Sequence, residues 1–186
     1  MIVYLHGFNS SPLSHKAQLL GRHLAALGLG ERYACPALPT LASEALALVE
    51  PLLAPGACLV GSSLGGFYAT WLAEKHGLRA VLINPAVEPH VGLRDHLGPQ
   101  QNLYTGERYE LTERHLRQWQ ALYAARITPS RYLLLVETGD EVLDWRVAVR
   151  FYAGAWQFVR GGGDHAFQDY VPQLPAILRF AGVRMP

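Results

Sequence analysis

Short apolar runs alternate with longer segments of helical periodicity along most of the chain. The runs are rich in Val, Ile, Leu and Tyr and have the length of buried strands; they read IVYLH, RYACPAL, CLVGS, AVLINPA, RYLLLVET and WQFVRG. Between them, apolar positions recur at steps of three and four, which predicts amphipathic helices. The pattern therefore predicts an α/β fold with a mainly parallel sheet of about six strands flanked by helices.

Two predicted helices have clear apolar faces. One follows the first strand and the other follows the third strand; their faces comprise Ala17, Leu20, Leu24 and Leu27, and Leu64, Phe67, Tyr68, Trp71 and Leu72. We expect both faces to pack in the core rather than to contact a ligand. Asp144 stands immediately before WRVAVRFY and is the predicted N-cap of the helix before the last strand.

One interval between strands is too long for a simple crossover connection. About 40 residues separate AVLINPAV from RYLLLVET, and one face of an amphipathic stretch within them carries Leu116, Trp119, Leu122 and Tyr123. We therefore expect one domain over residues 1–186, with a helical insertion at about 88–130 before the fifth strand. This length fits an insertion that could cover a site at the edge of the sheet, and an ordinary long connection fits it nearly as well.

Composition and charge exclude several classes of protein. Half of the residues are apolar and 17% are charged, which is typical of a globular chain. The formal net charge is +1 and the arginines are scattered, so we expect no nucleic-acid partner. The first apolar run is too short for a signal peptide, and Glu50, Pro51 and Pro55 interrupt the most apolar later region, so we expect no membrane anchor.

The two cysteines carry no redox or metal motif. Cys35 and Cys58 have neither CxxC spacing nor the paired Cys/His cluster that zinc requires. We expect them to be buried, reduced thiols in a cytoplasmic protein that needs neither a metal nor an organic cofactor. Nothing in the pattern indicates an oligomeric state.

The stretch LVGSSLGGFY contains the strongest indication of chemistry. It fits the motif G-x-S-x-G in a single register, with Ser63 as the central serine between Gly61 and Gly65. The motif follows a predicted strand and opens a predicted helix, as the nucleophile turn of a hydrolase requires. Glycines at these positions let the helix pass close to the strand, so that the serine hydroxyl stands clear of both.

Two backbone N–H groups are expected to bind an oxyanion beside this serine. The N–H of Leu64 lies at the predicted helix N-terminus, where unpaired N–H groups favour negative charge. The turn LHGF after the first strand predicts a second donor, the N–H of Phe8, with Asn9 as the alternative. His6 belongs to this turn, and we expect it to order the loop by hydrogen bonding.

A serine hydroxyl needs a histidine to take its proton and a carboxylate to orient that histidine. In sheets of this type, the order along the chain is serine, acid, histidine. His165 follows the last predicted strand and a glycine run, so it is the expected base. Asp140 follows the fifth predicted strand and is the expected acid. Both would lie at the carboxyl ends of strands, on the same edge as Ser63.

Four other carboxylates compete with Asp140 for the role of the acid. Asp144 comes next, but it already has a predicted role as a helix cap. Asp164 immediately precedes His165, so its carboxylate would have to fold back to reach the imidazole ring of the next residue. Glu137 and Glu141 also lie close to the end of the fifth strand.

Six stretches of the chain resemble successive signatures of the YqiA/YcfP-type family of small bacterial α/β-hydrolase esterases: YLHGFNSSPLSHKAQLL, VGSSLGGFYATWLAEKHG, INPAV, YTGERYEL, TGDEVLDWR and GGGDHAFQDY. This resemblance covers nearly the whole chain. It implies a minimal α/β-hydrolase fold that begins directly at the strand carrying the oxyanion turn. It also supports Ser63, Asp140 and His165 as the triad, with Phe8 and Leu64 as backbone donors.

The leading hypothesis is a serine hydrolase that cleaves small-molecule acyl esters or thioesters through an acyl-enzyme on Ser63. Two alternatives remain: a non-catalytic binding protein on a hydrolase scaffold, and an amidase or peptidase with the same triad. Five apolar or aromatic side chains lie in segments that should face the site and would suit an apolar acyl group. Core packing explains each of them equally well. They are Phe8, Leu64, Val87, Tyr104 and Tyr109.

Overall fold

The computed structural model describes residues 1–183, and the last three residues of the predicted domain, 184–186, lie outside the described residues. It has eight strands: β1 (Ile2–Leu5), β2 (Tyr33–Ala34), β3 (Cys58–Ser62), β4 (Arg79–Ile83), β5 (Gly98–Gln101), β6 (Arg108–Leu111), β7 (Tyr132–Glu137) and β8 (Trp156–Arg160). Six of them form one parallel sheet in the order β2-β1-β3-β4-β7-β8. The predicted fold class is confirmed.

Helices cover both faces of this sheet, which is why its central strands are apolar on both sides. They are α1 (His15–Ala26), α2 (Ala42–Val49), α3 (Leu64–His76), α4 (Pro89–Gly92), α5 (Glu113–Ala121), α6 (Trp145–Phe151) and α7 (Tyr170–Phe180). Side chains from α1 and α7 pack on one face of the sheet, and those from α2, α3, α5 and α6 pack on the other. Each face has its own buried apolar cluster.

The predicted apolar faces of α1 and α3 lie in these clusters. Most of their residues are buried, whereas Leu27 and Trp71 at the margins are half-buried. Asp144 caps α6 as predicted, because its carboxylate accepts the N–H of Arg146. The second strand is shorter than its apolar run, since Pro36 follows closely and lacks the N–H that a continuing ladder needs.

The interval between β4 and β7 differs from the predicted helical insertion. It contains α4 and α5, but also an antiparallel hairpin in which β5 pairs with β6, with Gly98 opposite Leu111. Leu111 is the only buried residue of the hairpin strands, so the segment has no apolar run that would have predicted strands. Among the described residues, no helix has both the length and the apolar character needed to cross a bilayer.

Helix α3 crosses close to β1, and glycine permits the contact. A Cβ atom on Gly65 would overlap the carbonyl group of Leu5 and would lie 2.7 Å from the carbonyl oxygen of His6. A Cβ on Gly61 would likewise meet the backbone of Gly65. Both obstacles are backbone atoms, which cannot rotate away as a flexible side chain can.

We expect Gly65→Ala to lower the free energy of unfolding by about 3 kcal/mol or more, because the added methyl group forces α3 away from β1. Gly92→Ala is the matched control, since a Cβ there meets no atom within 4 Å; we expect it to change stability by less than about 1 kcal/mol. Urea unfolding of both variants measures the difference. Equal stabilities would contradict the close crossing.

Candidate active site

Ser63 occupies the tight turn between β3 and α3 with φ 54° and ψ −122°, and such a positive φ is uncommon for residues other than glycine. Three backbone hydrogen bonds hold it there. Its N–H donates to the carbonyl of Ile83 at 3.1 Å, and its carbonyl accepts from Gly66 at 2.9 Å and Ala86 at 3.0 Å. The turn therefore presents the side chain at the carboxyl edge of the sheet.

Ser63, His165 and Asp140 form a continuous chain of hydrogen bonds. Nε2 of His165 lies 3.1 Å from Oγ of Ser63, and Nδ1 lies 2.9 and 3.0 Å from the two carboxylate oxygens of Asp140. Ser63 follows β3, Asp140 follows β7 and His165 follows β8, so the three side chains meet at the edge of the sheet where these parallel strands end. The structure thus brings together the three residues predicted to act as a triad.

The carboxylate of Asp140 is held in its charged form. Burial opposes its ionisation, but hydrogen bonds from His165 and from the N–H groups of Leu143 and Val142 outweigh burial, so the pKa of Asp140 lies below its usual range. An ionised carboxylate accepts a hydrogen bond from Nδ1–H of His165, so Nδ1 keeps its proton and the unprotonated Nε2 faces the serine hydroxyl as the acceptor.

The four competing carboxylates make other contacts. Asp144 is exposed and bonds the N–H of Arg146 at 3.0 Å. Glu141 accepts the backbone N–H of His165 at 3.0 Å, and Asp164 accepts the side-chain amide of Gln168 at 2.7 Å. Glu137 lies behind the site, completely buried. In residues 1–183, none of the four is hydrogen bonded to the imidazole of His165.

The two predicted oxyanion donors flank Ser63. Gly7, which precedes Phe8, approaches so closely that an added Cβ would lie 3.1 Å from Cβ of Ser63. Leu64 is the first residue of α3. Within the described chain, the N–H groups of Phe8 and Leu64 donate to no other protein group, which leaves them available to a ligand.

His6 is buried below this loop and is held in one tautomer. Its Nε2 accepts the N–H of Leu38 at 3.0 Å, so Nδ1 carries the proton and donates to the carbonyl of Gly7 at 3.1 Å. Burial lowers the pKa of His6, which favours this neutral form. The contacts order the loop, as expected from its sequence position.

The β5–β6 hairpin also holds the oxyanion loop. The hydroxyl of Tyr109 donates to Oδ1 of Asn9 at 2.7 Å, and Nδ2 of Asn9 donates to Gln100 at 3.1 Å. The side chain of Asn102 donates to the carbonyl of Ser10 at 2.9 Å. Asn9, considered as an alternative oxyanion donor, thus uses its side chain as an anchor. Sequence reasoning missed this role, because partners about ninety positions apart share no local pattern.

A buried carboxylate and a buried amide position the loop that carries His165. Glu137 is fully buried, and its two oxygens accept the N–H groups of Asp164, Gln168 and Asp169 at 3.0–3.1 Å. The side chain of Asn84 donates to the carbonyls of Asp164 and His165 at 3.0 and 3.2 Å. Neither role was predicted; Asn84 lies within the INPAV stretch, which offered the only signal.

An open cleft of about 570 Å³ reaches Ser63 and runs between α1 and α7. Phe8 and Tyr104 line it as expected for the acyl pocket. Leu64 and Tyr109 instead line a smaller cavity on the other side of the oxyanion loop, and Val87 lines a third. In the described residues, no three or more His, Cys, Asp or Glu side chains are grouped so as to hold a metal ion.

The fold is that of the α/β-hydrolases. The mouse α/β hydrolase domain-containing protein 10 superposes with a TM-score of 0.74 at 16% identity, covering 97% of this chain and 89% of the mouse chain. A structure from work on the metagenome-derived lipolytic enzymes LipS and LipT superposes with a TM-score of 0.69 at 16% identity. The alignment covers 98% of this chain and 93% of that structure's chain. The Paleococcus ferrophilus monoacylglycerol lipase superposes with a TM-score of 0.65 at 14% identity, and the alignment covers 98% of this chain and 94% of the lipase.

A family model described as "Uncharacterised protein family (UPF0227)" matches residues 1–182. The chain therefore belongs to the UPF0227 family, and this confirms the YqiA/YcfP-type resemblance. UPF0227 proteins of Shewanella sp. strain ANA-3 and Shewanella oneidensis are 23% and 24% identical to it, and each alignment covers 97% of this chain and 98% of the relative.

We expect Glu137→Gln to lower the free energy of unfolding by about 2 kcal/mol or more, because an amide NH₂ would face backbone N–H groups that need an acceptor. Glu113→Gln is the matched control, since Glu113 is half exposed and forms a long surface ion pair with Arg94 at 3.5 Å; we expect a change within about 0.5 kcal/mol. Urea unfolding measures both. A Glu137→Gln variant as stable as the control would show that the buried carboxylate does not hold this loop.

Proposed function

We propose that this protein is a serine hydrolase that cleaves carboxylic esters or thioesters of small acyl substrates through an acyl-enzyme on Ser63. The observation that carries the proposal is the hydrogen-bonded chain from Oγ of Ser63 through His165 to Asp140. The geometry is that of a general base already in contact with its nucleophile. The chain order serine, acid, histidine is also the order found in α/β-hydrolases.

The first half of the reaction forms the acyl-enzyme. Nε2 of His165 takes the proton of Ser63 while Oγ attacks the acyl carbonyl carbon. The carbonyl oxygen becomes an oxyanion that accepts hydrogen bonds from the N–H groups of Phe8 and Leu64. Each of these hydrogen bonds contributes about a hundredfold to a thousandfold in rate. His165 then donates its proton to the leaving alcohol or thiol as the tetrahedral intermediate collapses.

The second half returns the free enzyme. Water enters in place of the leaving group, His165 takes one of its protons, and the resulting hydroxide attacks the acyl-enzyme carbonyl. The same two N–H groups bind the second oxyanion, and Ser63 leaves with the proton from His165. Asp140 stays ionised throughout and stabilises the imidazolium, which its lowered pKa favours.

Two further observations support an ester substrate. The cleft that reaches Ser63 has the volume of a small-molecule site. In addition, two proteins with the same fold are described as lipolytic or as a monoacylglycerol lipase. An ester has a better leaving group than an amide, so its departure needs less proton donation from the histidine. A triad of serine, histidine and aspartate is therefore sufficient for ester cleavage.

Fluorophosphonate labelling followed by intact mass at neutral pH tests the proposal. We expect one adduct per wild-type chain, located at Ser63 by peptide mapping and absent from Ser63→Ala. In His165→Ala and Asp140→Asn, labelling should slow by at least about a thousandfold, because the hydroxyl loses its oriented base.

Asp144→Asn is the matched control for Asp140→Asn. Asp144 is an exposed helix cap four residues further along the chain, so its variant should label at about the wild-type rate. An absence of adduct on folded wild-type protein would overturn the proposal, as would labelling that persists in Ser63→Ala.

A further inference from the structure

The inner wall of the active-site cleft carries polar groups that the proposed reaction does not use. The hydroxyl of Tyr170 is buried and has no hydrogen-bond partner in the described part of the chain, and the residue as a whole is 2% exposed. Oγ of Ser14 is likewise buried without a partner. Both residues line the cleft that reaches Ser63. Buried hydroxyls without partners are uncommon, and a ligand group in the cleft would supply the missing bond.

An ammonium group lies on the same wall. Lys16 is half-buried in the first turn of α1, and its Nζ donates to the carbonyl of Ala166 at 2.6 Å. Within residues 1–183, no carboxylate lies within salt-bridge distance of this nitrogen. Burial lowers the pKa of Lys16 to about 8, while Asp164, Glu137 and Asp140 act in the opposite sense. The side chain therefore remains cationic at neutral pH without a directly paired anion.

The start of helix α1 adds to this positive region. Ser14 is its N-cap, but the Ser14 side chain makes no capping bond, and the first turn contains no acidic residue. The N-terminal N–H groups of the helix thus keep their partial positive charge beside Lys16. Glu141 is the one acidic residue among those that line the cleft, and it is engaged by the backbone N–H of His165 near the Ser63 end.

We propose that this wall, formed by Ser14, Lys16 and Tyr170, is a subsite for an oxyanionic group of the substrate, either a carboxylate or a phosphate. The inference rests on the proposed function in one respect: the substrate is then an anionic ester or thioester whose charged end lies between α1 and α7 while its acyl carbonyl lies at Ser63. The oxyanion accepts from the Lys16 ammonium, and a small outward shift of the wall brings it within reach of the buried Tyr170 and Ser14 hydroxyls, which have no other partner among the described residues.

A binding experiment in an inert background tests the subsite without turnover. We would measure calorimetric dissociation constants of 4-nitrophenyl hydrogen adipate and of neutral 4-nitrophenyl hexanoate for Ser63→Ala. The adipate should bind at least about tenfold more tightly. Adding Lys16→Met should reduce that ratio about tenfold, and adding Tyr170→Phe should reduce it by about threefold. The ω-phosphonate ester of the same length distinguishes a phosphate subsite from a carboxylate subsite.

Lys75→Met in the same background is the matched control. Lys75 is the second lysine of the chain, and it pairs with Glu50 on the surface. Its substitution should leave the ratio of the two dissociation constants unchanged. Because Lys16 also contacts the loop of His165, the ratio between esters is the informative quantity; a general disturbance of that loop affects both esters alike.

The outcomes separate this inference from the proposed function. Two results would overturn the anion subsite even if wild-type protein cleaves both esters. One is a ratio of the two dissociation constants close to one in the Ser63→Ala background; the other is a preference for the adipate ester that survives Lys16→Met. A preference that depends on Lys16, in a protein whose wild-type form takes no fluorophosphonate on Ser63, would support the subsite and overturn the hydrolase.

Discussion

The close passage of helix α3 over β1 is the constraint on which the site depends. Gly61 and Gly65 lack the Cβ atoms that would prevent it, so the chain turns sharply from β3 into α3 at Ser63, whose φ is positive. The same turn makes Leu64, the residue after Ser63, the first residue of α3. One steric arrangement therefore presents the proposed nucleophile and one proposed oxyanion donor together.

The rest of the candidate site consists of loops held by contacts that lie outside it. Buried Glu137 and Asn84 fix the loop of His165 through its backbone, and the hairpin fixes the oxyanion loop through Asn9. Loops have few packing contacts of their own, so hydrogen bonds to rigid neighbours set their geometry. The proposed chemistry needs positions accurate to a fraction of an ångström, and these anchors supply that accuracy.

Local sequence pattern predicts the fold and the three side chains that the structure brings together in the candidate site, but it does not predict the groups that hold their loops in place. Ser63 could be recognised because glycines flank it between a strand and a helix, and His165 because it follows the last strand. The hairpin was not predicted, because its strands are mostly exposed and show no apolar run. Glu137 was weighed only as a competing acid, since its actual partners lie 27 to 32 positions away in a loop without periodicity.

Trapping an acyl-enzyme would test whether Ser63 is the nucleophile. Wild-type protein would be mixed with 4-nitrophenyl pivalate, whose hindered acyl group slows deacylation, and quenched in acid before peptide mapping by mass. We predict a burst of one nitrophenol per chain and a pivaloyl group on the peptide containing Ser63. Nitrophenol release without a burst, from a chain whose Ser63 stays unmodified, would contradict covalent catalysis by Ser63.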